Sequence, residues 1–130
     1  MSRSSPLFNC LIRTHHITSR KKLWRVRRAA ENLNVDWLLV KSGSPPGLMF
    51  AEARDLSELT EWVSTVQSLR YKDYRCVAKP APAPAPEGSV VEDKGVRRMG
   101  FEETTEVKEF AKAMEERGLG GWWKRGMGYE

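Results

Sequence analysis

The fold is decided by the stretch Val35-Asp-Trp-Leu-Leu-Val-Lys-Ser-Gly-Ser-Pro-Pro-Gly-Leu-Met-Phe-Ala-Glu-Ala53. It contains two runs rich in apolar residues, Val35 to Lys41 and Leu48 to Ala53. Between them lies Ser42-Gly-Ser-Pro-Pro-Gly47, a loop whose residue types are typical of turns. The stretch therefore predicts two consecutive strands joined by a loop.

A helical pattern lies on each side of this pair of strands. Thr18 or Ser19 can cap a first helix, and Asn34 supplies its stop. The apolar stripe of this helix consists of Leu23, Val26, Ala30 and Leu33. Asp55 and Glu58 have the spacing of a capping box at the start of a second helix. The apolar side of the second helix consists of Leu59, Trp62, Val63, Val66 and Leu69.

Two further strands complete the pattern, Leu7 to Ile17 at the start and Tyr71 to Ala78 at the end. The resulting order, β-α-β-β-α-β, predicts an α+β fold of the ferredoxin-like sandwich type, with a linked C-terminal helix. Both helices would pack on one face of a four-stranded antiparallel sheet. The other face would be left open, so that something must cover it or use it.

The chain divides at a proline-rich segment. Lys79-Pro-Ala-Pro-Ala-Pro-Ala-Pro-Glu87 alternates proline with alanine, and we expect an extended, semi-rigid spacer there. The sequence thus predicts a ferredoxin-like domain over residues 7–79 and a Pro/Ala-rich, irregular linker over 80–101. A C-terminal amphipathic helix and a Trp-rich tail are predicted over 102–130.

The C-terminal helix needs a partner for its apolar side. Thr105 can cap it, and Gly118 can terminate it. Its apolar side and the tail that follows contain Val107, Phe110, Ala111, Met114, Trp122 and Trp123. Because so short a helix is marginal alone in water, it either folds back onto the open sheet face or docks on another protein. In the second case Phe110, Met114, Trp122 and Trp123 would form the docking surface.

Charge is distributed unevenly along the chain. Residues 1–79 hold fourteen Lys and Arg against seven Asp and Glu, whereas residues 80–130 hold eight against ten. Arg20 to Arg28 alone contains six basic residues in nine. This asymmetry suggests a domain that faces a polyanion, followed by a different kind of segment. The alternative is a solvated helix face that is kept positive for solubility.

The basic helix is the leading candidate for a binding site. Lys21, Arg25 and Arg28 recur at helical spacing, which places three cations along one exposed side, and Arg20, Trp24 and Arg27 form a neighbouring row. Such a ridge can neutralise several phosphates. RNA is favoured over duplex DNA because an open sheet face could present Trp37 to unpaired bases. The predicted nucleic-acid-binding residues are Arg13, His15, His16, Arg20, Lys21, Lys22, Arg25 and Arg28.

Other chemistries find little support in the sequence. If the first strand is still extended at His15 and His16, the two rings point to opposite faces, which is poor geometry for one metal ion. No nucleophile elbow, activated cysteine or paired carboxylate motif accompanies the histidines, so we expect no catalytic residues, no metal and no cofactor. Cys10 and Cys76 fall on the first and last predicted strands, which are neighbours in a ferredoxin-like sheet, and they are expected to be buried thiols.

Several short motifs resemble a known family. They are Arg13-Thr-His-His-Ile-Thr-Ser-Arg-Lys-Lys22, Pro45-Pro-Gly-Leu-Met-Phe-Ala-Glu52 and Leu69-Arg-Tyr71. Together they resemble the C-terminal domain of the pre-mRNA-processing factor three family, nearer to its branch found behind RWD domains in poorly characterised eukaryotic proteins. The resemblance spans about residues 7–79. It implies a ferredoxin-like fold and, in the splicing branch, contact with small nuclear RNA.

The chain also departs from the family pattern. Ser44-Pro-Pro-Gly47 replaces a plain Gly-x-Pro-Gly, and Ala53 stands where the family often has glycine. No RWD domain precedes the match, so we expect either a stand-alone member or a fragment.

Composition bounds the class of protein. With 40% hydrophobic and 30% charged residues, the chain is too apolar for complete disorder and too polar for a membrane protein. Two cysteines cannot make a disulfide framework. We therefore expect an intracellular protein, in nucleus or cytoplasm, without membrane association. Its predicted function is non-enzymatic RNA binding; the alternative is a protein-interaction module that uses the open sheet face or the C-terminal helix.

Overall fold

A computed structural model describes residues 6–84 and 98–129 of the chain. Within these residues it has a mixed α+β fold with one five-stranded sheet and four helices. The elements are β1 (Phe8–Thr14), α1 (Arg20–Asn32), β2 (Val35–Lys41), β3 (Gly47–Ala53), α2 (Leu56–Ser68), β4 (Arg75–Pro82), β5 (Gly100–Thr104), α3 (Val107–Glu116) and α4 (Gly120–Met127).

The strands of the sheet follow the order β4-β1-β3-β2-β5. The pairs β4–β1, β1–β3 and β3–β2 are antiparallel, whereas β5 runs parallel to β2. β5 was not predicted, since Gly-Phe-Glu-Glu-Thr is short and contains a glycine and two glutamates, which strands disfavour. β4 and β5 therefore form the two edges of the sheet.

Helices α1 and α2 begin where the capping residues predict. The Ser19 hydroxyl accepts a hydrogen bond from the Lys22 N–H at 3.1 Å, and an Asp55 carboxylate oxygen accepts one from the Glu58 N–H at 3.0 Å. Asn34, with φ of 57°, reverses the chain after α1 as predicted. Local capping signals thus determine where α1 and α2 begin.

The sheet has an apolar core on each face. On one face α1 and α2 cover Cys10, Ile12 and Val40. On the other face α3 and α4 cover Leu11, Trp37, Leu39, Leu48 and Phe50, so the C-terminal helices fold back onto the sheet. The face that was expected to be open is occupied by the chain itself.

Several element boundaries differ from those predicted. β1 ends at Thr14 rather than at residue 17, and β4 begins at Arg75 rather than at residue 71. The reason at β4 is the turn before it, in which Arg70 and Asp73 have φ of 60° and 56°. β4 then continues through Pro82, because an edge strand tolerates residues that lack a backbone donor.

The predicted linker is shorter than its proposed limits of 80–101. Residues 80–82 belong to β4, and residues 100 and 101 belong to β5. The part of the linker from 85 to 97 lies outside the described residues.

Thr105 was predicted to cap the C-terminal helix, and this prediction is wrong by one residue. Glu106 stands at the cap position, and the hydroxyl of Thr104, not Thr105, accepts a hydrogen bond from the Glu106 N–H at 3.3 Å. Gly118, with φ of 84°, ends the helix as predicted, and α4, which was not predicted, follows at once.

Candidate nucleic-acid interface

Four segments meet at one end of the sheet: the end of β1, the start of α1, the β2–β3 loop and the α2–β4 turn. Thr14 pairs with Gly47 and Arg13 pairs with Arg75, which brings β3 and β4 beside the end of β1. The backbone N–H of His15 donates to a carbonyl in the α2–β4 turn at 2.8 Å. Segments that are distant in sequence therefore share one surface.

This surface is rich in positive charge, and we call it the basic end. Its basic residues are Arg13, His15, His16, Lys21, Lys22, Arg70, Lys72 and Arg75. All are exposed except His15 and Lys22, which are partly exposed. Five of the eight predicted binding residues lie here. Arg70, Lys72 and Arg75 were missed, because only tertiary structure brings the α2–β4 turn beside the first strand.

The two histidines do not point apart, because the strand ends before them. Their ring centroids are 5.0 Å apart, with the planes inclined at 53°. His15 Nδ1 lies 3.5 Å from an Asp73 carboxylate oxygen. Within residues 6–84 and 98–129, no group of three or more His, Cys, Asp or Glu side chains is arranged to hold a metal ion.

The first turn of α1 carries an unusual charge arrangement. It contains Arg20, Lys21 and Lys22 and no acidic residue. The N-terminus of a helix carries a partial positive charge, so acids are favoured there and cations are unfavourable. α2 follows the usual rule, with Asp55 as its cap and Glu58 in its first turn. The start of α1 is therefore a concentrated source of positive potential.

The exposed side of α1 extends the basic end along the helix. Lys21, Trp24, Arg25 and Arg28 lie on the side opposite the buried stripe, and we call them the outer ridge. Arg28 lies 3.7 Å from a Glu31 carboxylate oxygen, and its guanidinium carbon is 6.0 Å from the Trp24 ring centroid. Trp24 is 59% exposed. A large aromatic surface thus lies among cations in contact with solvent.

Arg20 is already engaged within the chain. It donates two hydrogen bonds to the carboxylate of Glu103 on β5, at 2.8 and 3.0 Å. The Ser42 hydroxyl donates to the same carboxylate at 2.5 Å. The hydrogen bond from Arg20 is the largest cause that lowers the pKa of Glu103, and the same contact raises the pKa of Arg20. An RNA phosphate would therefore have to compete with Glu103 for Arg20, more directly than for any other predicted binding residue.

Two further cations of α1 contact aromatic rings elsewhere in the chain. Arg27 lies over the Phe101 ring of β5, with its guanidinium carbon 4.2 Å from the centroid. Lys22 Nζ lies 5.1 Å from the centroid of Tyr71, and burial raises the pKa of that tyrosine to about 12. These contacts hold the flanks of α1 and leave the outer ridge exposed.

The residues considered for protein docking are occupied within the chain. Phe110 and Met114 are 0% exposed and Trp123 is 2% exposed, all packed on the α3–α4 face of the sheet. Trp122 is partly buried, with its ring 5.8 Å from that of Phe50 in an edge-to-face contact. Trp37 is fully buried on the same face, so the suggestion that it stacks on RNA bases from an open sheet is wrong.

Both cysteines pack in the core beneath α1 and α2, but only Cys10 is the fully buried thiol that was predicted. Both are free thiols; Cys10 is fully buried and Cys76 is partly buried. Burial is the largest cause that raises the pKa of each thiol, which keeps both protonated at neutral pH.

In the part of the chain that the structure describes, no helix combines the length and apolar character needed to cross a membrane. No protein-family model matches the chain, and neither does any curated protein.

Proposed function

We propose that this chain is a non-enzymatic RNA-binding module whose basic end and outer ridge contact the phosphate backbone. The observation that carries the proposal is the first turn of α1, where three consecutive cations stand at the positive end of a helix with no acid among them. Glu103 on β5 pairs with Arg20, whereas Lys21 and Lys22 form no ion pair with a carboxylate of the described residues. Two adjacent cations at a helix N-terminus are unfavourable, and a polyanion would supply the negative charge that they lack.

The surroundings of that turn support a polyanion rather than a single small anion. Arg13, Arg70, Lys72 and Arg75 extend the positive surface in one direction, and the outer ridge extends it in another. A surface of this length can contact several phosphates in succession.

Trp24 favours RNA with unpaired bases as the ligand. An exposed indole between cations can stack on a base while the cations contact the adjoining phosphates. In a duplex the bases are stacked on each other and unavailable to such a side chain.

We also propose that β1 to β4 with α1 and α2 form a ferredoxin-like unit related to the C-terminal domain of the pre-mRNA-processing factor three family. The order β4-β1-β3-β2 and the position of both helices on one face support this proposal. So do the motifs around His15 and Pro45. This kinship would make a structured RNA, such as a small nuclear RNA, the first ligand to test.

The experiment is a fluorescence-anisotropy titration of the whole chain with a labelled single-stranded RNA that has no terminal phosphate, at several salt concentrations. The test variant replaces Lys21, Arg25 and Arg28 with glutamine, which keeps helix propensity and removes three charges. The control variant replaces the exposed Lys79, Lys108 and Lys112 with glutamine, and thus changes the net charge equally.

We expect the ridge variant to bind at least about tenfold more weakly. The negative slope of log affinity against log salt should also become smaller in magnitude by about 2. The control should retain most of the affinity. Equal losses of affinity in both variants would show that the interaction is non-specific charge attraction and would contradict the assignment of the ridge. If the natural chain does not bind at low salt, the proposal is overturned.

A further inference from the structure

A pocket of about 530 Å³ opens at the basic end, and none of the residues that line it belongs to the outer ridge. Its lining includes Arg13 at the end of β1 and Arg75 at the start of β4. Pro45, Pro46 and Tyr74 add apolar surface to it. The volume lies in the range typical of sites for small organic ligands.

The two arginines of this pocket repel each other electrostatically. Arg13 and Arg75 are directly paired across the antiparallel β1–β4 ladder, so their side chains leave the sheet on the same face. Like charges in this position repel, and both residues are exposed. Asp73 is the one acidic residue of the lining, and its carboxylate lies 3.5 Å from His15 Nδ1.

We propose that this pocket binds a phosphate monoester that carries an organic group, such as a nucleotide. A monoester holds close to two negative charges at neutral pH, which matches two arginines that leave the sheet on the same face, whereas an internal phosphodiester holds only one. The pocket is much larger than a bare phosphate, and the prolines and Tyr74 provide surface for the attached sugar or base.

The phosphate could belong to a free nucleotide or to the end of an RNA chain. Binding of a free nucleotide does not depend on the outer ridge, so this proposal does not rest on the RNA binding proposed above. The two can also fail separately, because the earlier test uses RNA without any terminal phosphate.

The experiment measures binding of uridine 5′-monophosphate to the whole chain by calorimetry, with uridine as the ligand that lacks the phosphate. Short RNAs of one sequence, with a 5′-phosphate, a 3′-phosphate or neither, are compared in parallel. The test variants are Arg13→Gln and Arg75→Gln. The control is Arg54→Gln, which removes an exposed arginine at the opposite end of the sheet.

We expect the monophosphate but not uridine to bind, with an affinity that falls about tenfold in each test variant and is unchanged in the control. If the monophosphate does not bind but one phosphorylated RNA binds more tightly than the unphosphorylated RNA, and either test variant abolishes that preference, the pocket takes an RNA end. No monophosphate binding together with equal affinity for the three RNAs would overturn the proposal. So would affinities that the two arginine variants leave unchanged.

Discussion

Arg117, at the end of α3, donates hydrogen bonds to the carboxylate of Glu52 on β3, with Nη2 2.7 Å and Nε 3.3 Å from its oxygens. The side chains are only 8% and 1% exposed. A buried carboxylate needs such a partner, because water cannot solvate it. This ion pair joins the C-terminal helices to the face of the sheet that they cover.

Removal of Arg117 alone should therefore be costly. We expect Arg117→Met to lower the free energy of unfolding by about 3–5 kcal/mol, since it leaves the Glu52 charge buried without its partner. The double variant Glu52→Met/Arg117→Met should recover much of that loss. Urea unfolding followed by circular dichroism measures both, and equal losses in the single and double variants would contradict the interpretation.

The Glu103–Arg20 contact should make stability depend on pH on the acid side. The folded protein holds the pKa of Glu103 below its ordinary value of 4.5, first through the hydrogen bond from Arg20. The contact therefore stabilises the fold above that value and is lost as the pH falls through the folded pKa. Glu103→Gln should lower the melting temperature at pH 7, and the difference from the natural chain should shrink as the pH falls below 4.5 and through the folded pKa of Glu103. The exposed Glu61→Gln serves as control and should show no such pH-dependent difference.

Trp24 should contribute to affinity but not to stability. We expect Trp24→Ala to weaken binding of single-stranded RNA by about tenfold, which is typical for the loss of one stacked base. Trp24→Phe should retain most of the affinity, and both variants should keep the melting temperature, because the indole is 59% exposed. A fully paired duplex that loses as much affinity as the single strand would show that Trp24 does not stack on bases.

Phe110 tests the placement of the C-terminal helix. The ring is fully buried against the sheet, so Phe110→Ala should lower the free energy of unfolding by about 3–5 kcal/mol. The control Leu56→Ala, at a side chain that is 41% exposed, should change it by only about 0.5 kcal/mol. If Phe110 were instead a docking residue exposed to solvent, its substitution would leave stability unchanged.

Sequence patterns predicted the elements whose signals are local. The stripes of α1 and α2, the caps Ser19 and Asp55, and the limits of β2 all depend on residues a few positions apart. The same locality explains why Lys21, Arg25 and Arg28 were placed correctly on one exposed side of α1. A helical period alone decides which residues share an exposed side.

The missed features depend on contacts between distant residues. β5 pairs with β2, and its Glu103 meets an arginine 83 positions earlier, so nothing in Gly-Phe-Glu-Glu-Thr itself reveals the strand. In the same way, Arg75 joins the basic end only because β4 pairs with β1. The sequence patterns therefore identified five of the eight basic residues at the basic end, and contacts between distant segments bring the other three there.

The two edges of the sheet have a consequence for self-association. An edge strand exposes unpaired backbone groups, onto which a second copy of a protein can add a strand and so begin to aggregate. β4 contains Pro80 and Pro82, which have no N–H to offer, and β5 is only five residues long, so each edge offers a second copy few groups to pair with. The features that make β5 and the end of β4 hard to recognise in the sequence thus also limit the growth of the protein into larger sheets.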